Sequence, residues 1–393
     1  MKKLLIIALI FIPFGLSAQS LTLLADDEAF PTMIERILEK HDSTRVETGR
    51  HRIIKTHINL ELVTSMNAYF TQNNFDDISF KTNRVRMEFY GKLNDNLSYH
   101  YRQSLTNDNF AASIEYANIK WHHSDKFELV AGKQYVAFAG YEGYVNGIKV
   151  REFCEFNEYT EIYRTGVMGT IYFTPTQLLM LQLTNNRSHF STDVLLNRLP
   201  EGVEPTKTPL LLNANWNGFF ADGTVHLMYS ASAGQQAKGK YIYYLMCGNI
   251  YEKGPVLAYF DVLYSRSALD VQQRVTSLCS THSPLAQNTQ YLSFIADVDY
   301  QFHPKWNAYV KGAYETASVY RASDMLAKGR YITSWNAQAC LEWFPFSQDK
   351  GFKLFAHYLY KGHHLTDKAN ALIAYMPHTQ RASIGIQYII PVL

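Results

Sequence analysis

Arg381-Ala382-Ser383-Ile384-Gly385-Ile386-Gln387-Tyr388-Ile389-Ile390 puts Ile384, Ile386, Tyr388 and Ile390 on one face and Arg381, Ser383, Gly385 and Gln387 on the other. A period of two is the mark of a strand with one apolar and one polar side. Upstream the pattern recurs. Leu292, Phe294, Ala296, Val298 and Tyr300 oppose Ser293, Asp297, Asp299 and Gln301, while Val85, Met87 and Phe89 oppose Arg84, Arg86 and Glu88. From Ile53 to Leu393 the chain reads as about sixteen such strands.

The connections are of two kinds. Tight polar turns are expected at Asn94-Asp95-Asn96, His123-Ser124-Asp125, Thr174-Pro175-Thr176, Ala221-Asp222-Gly223, Glu252-Lys253-Gly254, His303-Pro304-Lys305 and Ser347-Gln348-Asp349. Longer loops are expected at 71–79, 106–112, 138–160, 185–209, 234–238, 266–288, 318–329 and 362–378. An even number of antiparallel strands, short turns at one end and long loops at the other, is the layout of an outer-membrane β-barrel. Eight strands close around a filled interior, whereas about sixteen leave an aqueous channel. The expected fold is therefore all-β, a transmembrane antiparallel barrel of about 16 strands enclosing water.

Composition agrees. The 393 residues carry 37 Lys+Arg against 35 Asp+Glu, and charged residues make up 18%, below the roughly 25% of soluble domains. Near-neutral charge without a basic stripe gives no support for nucleic-acid binding. Aromatics reach 14%, with 28 Tyr and 23 Phe, a surplus that a barrel places in its two interfacial girdles. A secreted β-sandwich is the main rival, but so long a run of strands would need several domains, and no Pro/Gly/Ser linker appears.

Met1-Lys2-Lys3, the apolar Leu4 to Leu16 and the small or polar Ser17-Ala18-Gln19-Ser20 read as a secretory signal peptide over residues 1–19. The mature chain is then expected at the outer membrane of a bacterial cell. Residues 20–52 do not fit the wall. Pro31 followed by Met33, Ile34, Ile37 and Leu38 has helical spacing, so a periplasmic segment with a short helix precedes a barrel of residues 53–393. Cys154, Cys247, Cys279 and Cys340 lack metal-ligand spacing. Cys154 and Cys279 share a side, so they either pair or stay, like the others, small unpaired residues.

The loop 138–160, between the fifth and sixth strands, has the length, glycines and aromatics of a compact segment that folds inward. It carries Glu142, Glu152, Glu155 and Glu158 against Lys149 and Arg151. The pore-lining parity of strands two, three, fifteen and sixteen, which closure of the barrel gathers on one wall, carries Arg84, Arg86, Glu88, Arg102, Lys353, His357 and Arg381. The expectation is a mixed-charge constriction, an acidic loop facing a basic wall, whose field orients dipolar solutes and screens ions. The alternative is a set of solvated lumen residues with no collective role.

Arg86-Met87-Glu88-Phe89-Tyr90-Gly91-Lys92-Leu93-Asn94-Asp95-Asn96-Leu97-Ser98-Tyr99 and Ala131-Gly132-Lys133-Gln134-Tyr135-Val136 resemble the phosphate-selective porin O and P family in its Bacteroidetes form. So do Gly140 to Asn146, Glu152-Phe153 and Phe156-Asn157. These motifs concentrate between about 80 and 160; elsewhere only the strand pattern is similar. The resemblance implies a trimeric sixteen-stranded porin, passively conducting small hydrophilic solutes or ions past a third outer loop. Two departures stand out. The name-giving members select phosphate with arginine- and lysine-rich linings, whereas this loop carries more glutamate than base. Outer-membrane barrels also usually end in an aromatic residue, and this chain ends Pro391-Val392-Leu393.

The remaining candidates read as bland. His122-His123 falls at a turn, and His363-His364 with Asp367 and His378 lacks regular ligand spacing. No nucleophile, base and orienting carboxylate form a constellation, so neither an enzyme nor a cofactor is expected. The expected partners are outer-membrane lipid and lipopolysaccharide, small hydrophilic solutes or ions, and two further copies in a homotrimer. The rival from another class is a non-conducting barrel with adhesive or host-contact loops; a barrel-embedded hydrolase comes third.

Overall fold

The computed structural model describes residues 56–106, 113–145, 150–186, 197–279, 283–346, 351–372 and 375–392. The signal peptide, the segment 20–52, Lys149 and the turn at Ser347-Gln348-Asp349 lie outside them.

Sixteen antiparallel strands form one closed barrel in which each pairs with its sequence neighbours and the last pairs with the first. They are β1 (Thr56–Thr71), β2 (Asn74–Asn94), β3 (Leu97–Ser104), β4 (Ile114–Ser124), β5 (Phe127–Tyr135), β6 (Tyr163–Thr174), β7 (Gln177–Asn185) and β8 (Leu210–Phe220). The second half comprises β9 (Val225–Ala237), β10 (Lys240–Lys253), β11 (Val256–Leu269), β12 (Gln287–His303), β13 (Trp306–Val319), β14 (Gly329–Trp343), β15 (Phe352–Leu365) and β16 (Thr379–Pro391). Closure runs from Asn59 opposite Pro391 to Thr71 opposite Thr379, so neither terminal strand is left as an edge.

The burial pattern is that of a soluble protein turned inside out. Along β14, Trp335, Ala337, Ala339, Leu341 and Trp343 are exposed, while Ser334, Asn336, Gln338 and Glu342 are buried. Along β8, Leu210 and Leu212 face out, and Asn213, Asn215 and Asn217 face in. An apolar exterior around a polar interior is stable only where the surroundings are hydrocarbon. At the short-turn end Trp306 stacks on Trp343, and further up Tyr314 pairs with Trp335. These are the two aromatic levels expected of interfacial girdles.

One arc of the lumen breaks the alternation. Ile242, Tyr244, Met246 and Ile250 of β10 point inward and are buried although apolar. They pack with Phe138, Tyr141 and Phe156 of the segment between β5 and β6, so the barrel holds its main hydrophobic core inside.

Two expected loops are absent. The chain reverses at Gln72-Asn73, both in the left-handed region, and β2 begins at Asn74, so 71–79 is a two-residue hairpin turn followed by strand. Likewise 234–238 belongs mostly to β9, and Lys238-Gly239 makes the turn with Gly239 at φ 69. The polar stretch Asn74-Phe75-Asp76-Asp77 resembled a loop because it lies beyond the apolar band. The strand keeps its pairing with β1 there, and from Asp77 onward Ile78 and Phe80 face out.

Candidate functional site

The segment after β5 crosses the interior and is fixed to the far wall at each step. Gln182 of β7 accepts the Ala137 N–H at 2.8 Å, Ser230 of β9 accepts that of Ala139 at 2.8 Å, and Asn215 donates to the Phe138 carbonyl at 3.1 Å. Two one-turn helices follow, Tyr141–Tyr144 and Glu155–Glu158. Neither uses a side chain of its own as a cap. Instead the Asp261 carboxylate of β11 accepts the N–H groups of Tyr141 and Glu142 at 2.9 and 3.0 Å. The Glu315 carboxylate of β13 does the same for Glu155 and Phe156 at 2.8 and 2.9 Å. Each wall carboxylate satisfies two of the orphan donors of a helix start.

The loop glutamates are bound as firmly. Glu142 is fully buried, 2.6 Å from the Lys311 ammonium, and accepts the Cys154 N–H and the Asn157 amide. Glu155 meets Arg274 and accepts the Ser334 hydroxyl at 2.6 Å. Glu152 pairs with Arg381 at 2.9 Å and with Lys361, and Glu158 lies 3.4 Å from Lys361. Arg151 runs the other way: it pairs with Glu342 at 3.0 Å, which Lys353 shares at 2.7 Å, and it stacks over Phe355. Burial alone would raise Glu152, but Lys361 and Arg381 outweigh it and hold that carboxyl below its ordinary value. At Glu158 burial wins over Lys361, and the carboxyl is raised.

Of the expected wall bases, Arg86 and Arg102 form a second cluster. Arg86 pairs with Glu61 at 2.9 Å and with Glu115 at 3.1 Å. Arg102 pairs with Glu115 at 2.8 Å, lies 3.6 Å from Glu88, donates to the Tyr163 hydroxyl and sits over the Tyr116 ring. The expected division into an acidic loop and a basic wall therefore fails residue by residue. Wall carboxylates balance Arg86 and Arg102, and loop glutamates touch Lys311, Arg274, Lys361 and Arg381 directly. Attraction in a low-dielectric interior favours contact over a gap.

What stays open is a polar cavity of about 240 Å³ between the loop and strands β1, β2, β15 and β16. Arg84, His357, Arg381, Arg151 and Glu152 line it, with Lys81, which sequence reasoning missed. Arg84 makes no ion pair among the described residues. Also missed were Asp261, Lys311, Glu315 and Glu342; their signal is a charge at inward parity on β11, β13 and β14. Cys154 and Cys279 are free thiols, and burial beside Glu142 and Glu315 raises that of Cys154. His363 approaches Glu155 at 3.6 Å, while His378 stacks on Tyr360.

Against known proteins, the model of the family described as phosphate-selective porin O and P matches residues 58–390. No curated relative matches by sequence. Among solved structures, the outer-membrane channel DcaP of Acinetobacter baumannii aligns with TM-score 0.61 at 12% identity, covering 88% of this chain and 100% of that one. OmpT of Vibrio cholerae aligns at 0.55 and 11%, covering 88% and 100%. OmpF of Salmonella typhi, solved with daunomycin, aligns at 0.55 and 12%, covering 86% and 98%. At such identities the likeness is one of fold.

Proposed function

The chain belongs to the phosphate-selective porin O and P family, an outer-membrane channel, and from that premise we propose that it passively conducts small hydrophilic solutes with a preference for anions. The observation that carries this reading is Arg84, which lines the cavity and makes no ion pair among the described residues. Beside it stand Lys81, Arg381, which is paired with Glu152, and Arg151, which is paired with Glu342. Glu142 and Glu155 are occupied with the buried Lys311 and Arg274, while Glu158 shares the half-buried Lys361 with Glu152. A lumen wall of one sign raises the local concentration of the opposite ion. The constriction is thus mixed in composition and positive in effect, with the loop 138–160 as its narrowing element.

The test is the reversal potential of single channels in planar bilayers across a potassium chloride gradient. Wild type is expected to be anion-selective, and Arg84→Gln with Arg381→Gln is expected to move the potential toward the cation side. A cation-selective wild type, or a protein that gives no conductance steps at all, refutes the proposal.

We further infer assembly as a homotrimer, the form in which OmpT of Vibrio cholerae has been solved. On the outer surface an apolar groove of about 540 Å³ crosses the closure seam, lined by Met66, Ala68, Ala339, Ala356, Ala382 and Ile384. Small side chains there let a second barrel approach closely.

A further inference from the structure

The outward face of β11 to β14 carries a polar row at a level where the strands below are apolar. Arg266 is paired with Gln290, Gln290 with Ser318, and Ser318 with Arg330. Directly paired residues point to the same side of a sheet, and Arg266 and Arg330 are exposed. Below the row the same face presents Phe260, Phe294, Tyr314 and Trp335, all exposed. Arg266 stacks over the Tyr320 ring at 4.0 Å, and Arg330 donates to the Tyr314 hydroxyl at 3.4 Å. Both guanidinium groups are thus held by tyrosines, one by a ring face and one by a hydroxyl, and not by carboxylates.

The height of the row is informative. Twelve residue steps separate Trp306, at the short-turn end, from Ser318. At about 3.3 Å per residue and a tilt of about 45°, that is roughly 28 Å along the bilayer normal, against an apolar band about 25 Å tall. The row therefore lies just past the hydrocarbon on the long-loop side, which is the outer leaflet. Lys328 and Lys368 adjoin it, the Lys368 ammonium donating to the Lys328 carbonyl at 2.5 Å. Asp324 and Asp367 are the acids of the neighbouring loops. Arg266, Arg330, Lys328 and Lys368 make no ion pair among the described residues.

We propose that this row is a binding strip for the phosphate groups of lipopolysaccharide, whose acyl chains lie on the apolar face beneath. Charge complementarity selects the occupant. Unpaired arginines at headgroup depth attract anionic lipid, and arginine's planar fork matches phosphate bidentately. Gln290 and Ser318 between them offer uncharged donors to the same headgroup. This inference rests on the outer-membrane reading but not on conduction.

The test compares wild type with the Arg266→Gln/Arg330→Gln variant, both stripped of lipid in detergent. Each is titrated with lipopolysaccharide and with the same material after phosphatase treatment, and bound lipid is counted by native mass spectrometry. Wild type is expected to bind the phosphorylated form, and the variant to bind it roughly tenfold more weakly or worse at low salt. Ser318→Glu, which keeps both arginines, is expected to show the same loss, which covers a double variant that folds poorly. Equal binding by wild type and variants, or equal binding of the two lipid forms, overturns the proposal. So does high-yield cross-linking between copies through Arg330→Cys, which would make the row a protomer contact. Conductance of the variant in phosphate-free bilayers is expected to match wild type; a non-conducting wild type would sink the channel reading alone.

Discussion

Glu142 shows how this interior works at the scale of one side chain. Its carboxylate joins Lys311, Cys154 and Asn157, so one charge holds both ends of the crossing segment against β13. Removing one partner of a buried pair costs about 3–5 kcal/mol, because the other charge is left stranded. Glu142→Gln is therefore expected to loosen residues 150–158 without opening the barrel. Hydrogen exchange should quicken there and nowhere in the strands, and channel current should become noisier. Adding Lys311→Met should recover part of the loss. Acid acts on different residues. Glu158, raised by burial, takes its proton first as pH falls toward the ordinary glutamate value of about 4.3. Glu152, held low by Lys361 and Arg381, keeps its charge longer. Anion preference is thus expected to rise as pH falls from neutral toward the ordinary glutamate value of about 4.3, and Glu158→Gln should abolish that rise. The tie of Glu152 is fully present above the ordinary glutamate value and is lost as pH falls through its own lower one.

Single elements can be tested through the faces they present. Gly248 of β10 faces the loop, and a Cβ there would sit 3.0 Å from the Gly140 backbone, which itself holds φ at +113. Gly248→Val is expected to push the crossing segment off the wall and raise single-channel conductance, while the protein still migrates as a folded barrel. On the opposite face, Val310 of β13 is 59% exposed in mid-band. Val310→Arg should lower stability by about 2–4 kcal/mol, read as a lower urea midpoint in detergent, whereas Val310→Leu should change little. Strand parity was the most legible property of the sequence, since the alternation at Ser383 to Gln387 or Arg84 to Glu88 reports solvent on one side and lipid on the other. It was obscured at Asn74–Phe80, read as a loop because Asn74, Asp76 and Asp77 cluster there, although Ile78 and Phe80 keep the outward parity. The partners of the loop glutamates were illegible for another reason. Glu142 meets Lys311, and Glu152 meets Arg381, across intervals that only closure of the barrel makes short.

For the whole molecule, count and turn asymmetry sufficed to give a closed cylinder, while the occupancy of its interior was hidden. Inward Ile242, Tyr244 and Met246 look like faults in the alternation until Phe138 and Phe156 arrive to cover them. The seam offers the corresponding test of assembly. Ala68 and Ala382 are paired neighbours on the outer face, and Ala382→Trp is expected to convert trimers to monomers in analytical ultracentrifugation, leaving monomer conductance intact. That seam also makes closure depend on one strand. β1 has its second neighbour in β16, so the cylinder shuts like a zip fastener only when Thr379–Pro391 is in place. A nonsense codon just before Thr379 would spare fifteen staves of the cask and still leave it unable to hold its hoop, with two bare rims facing oil.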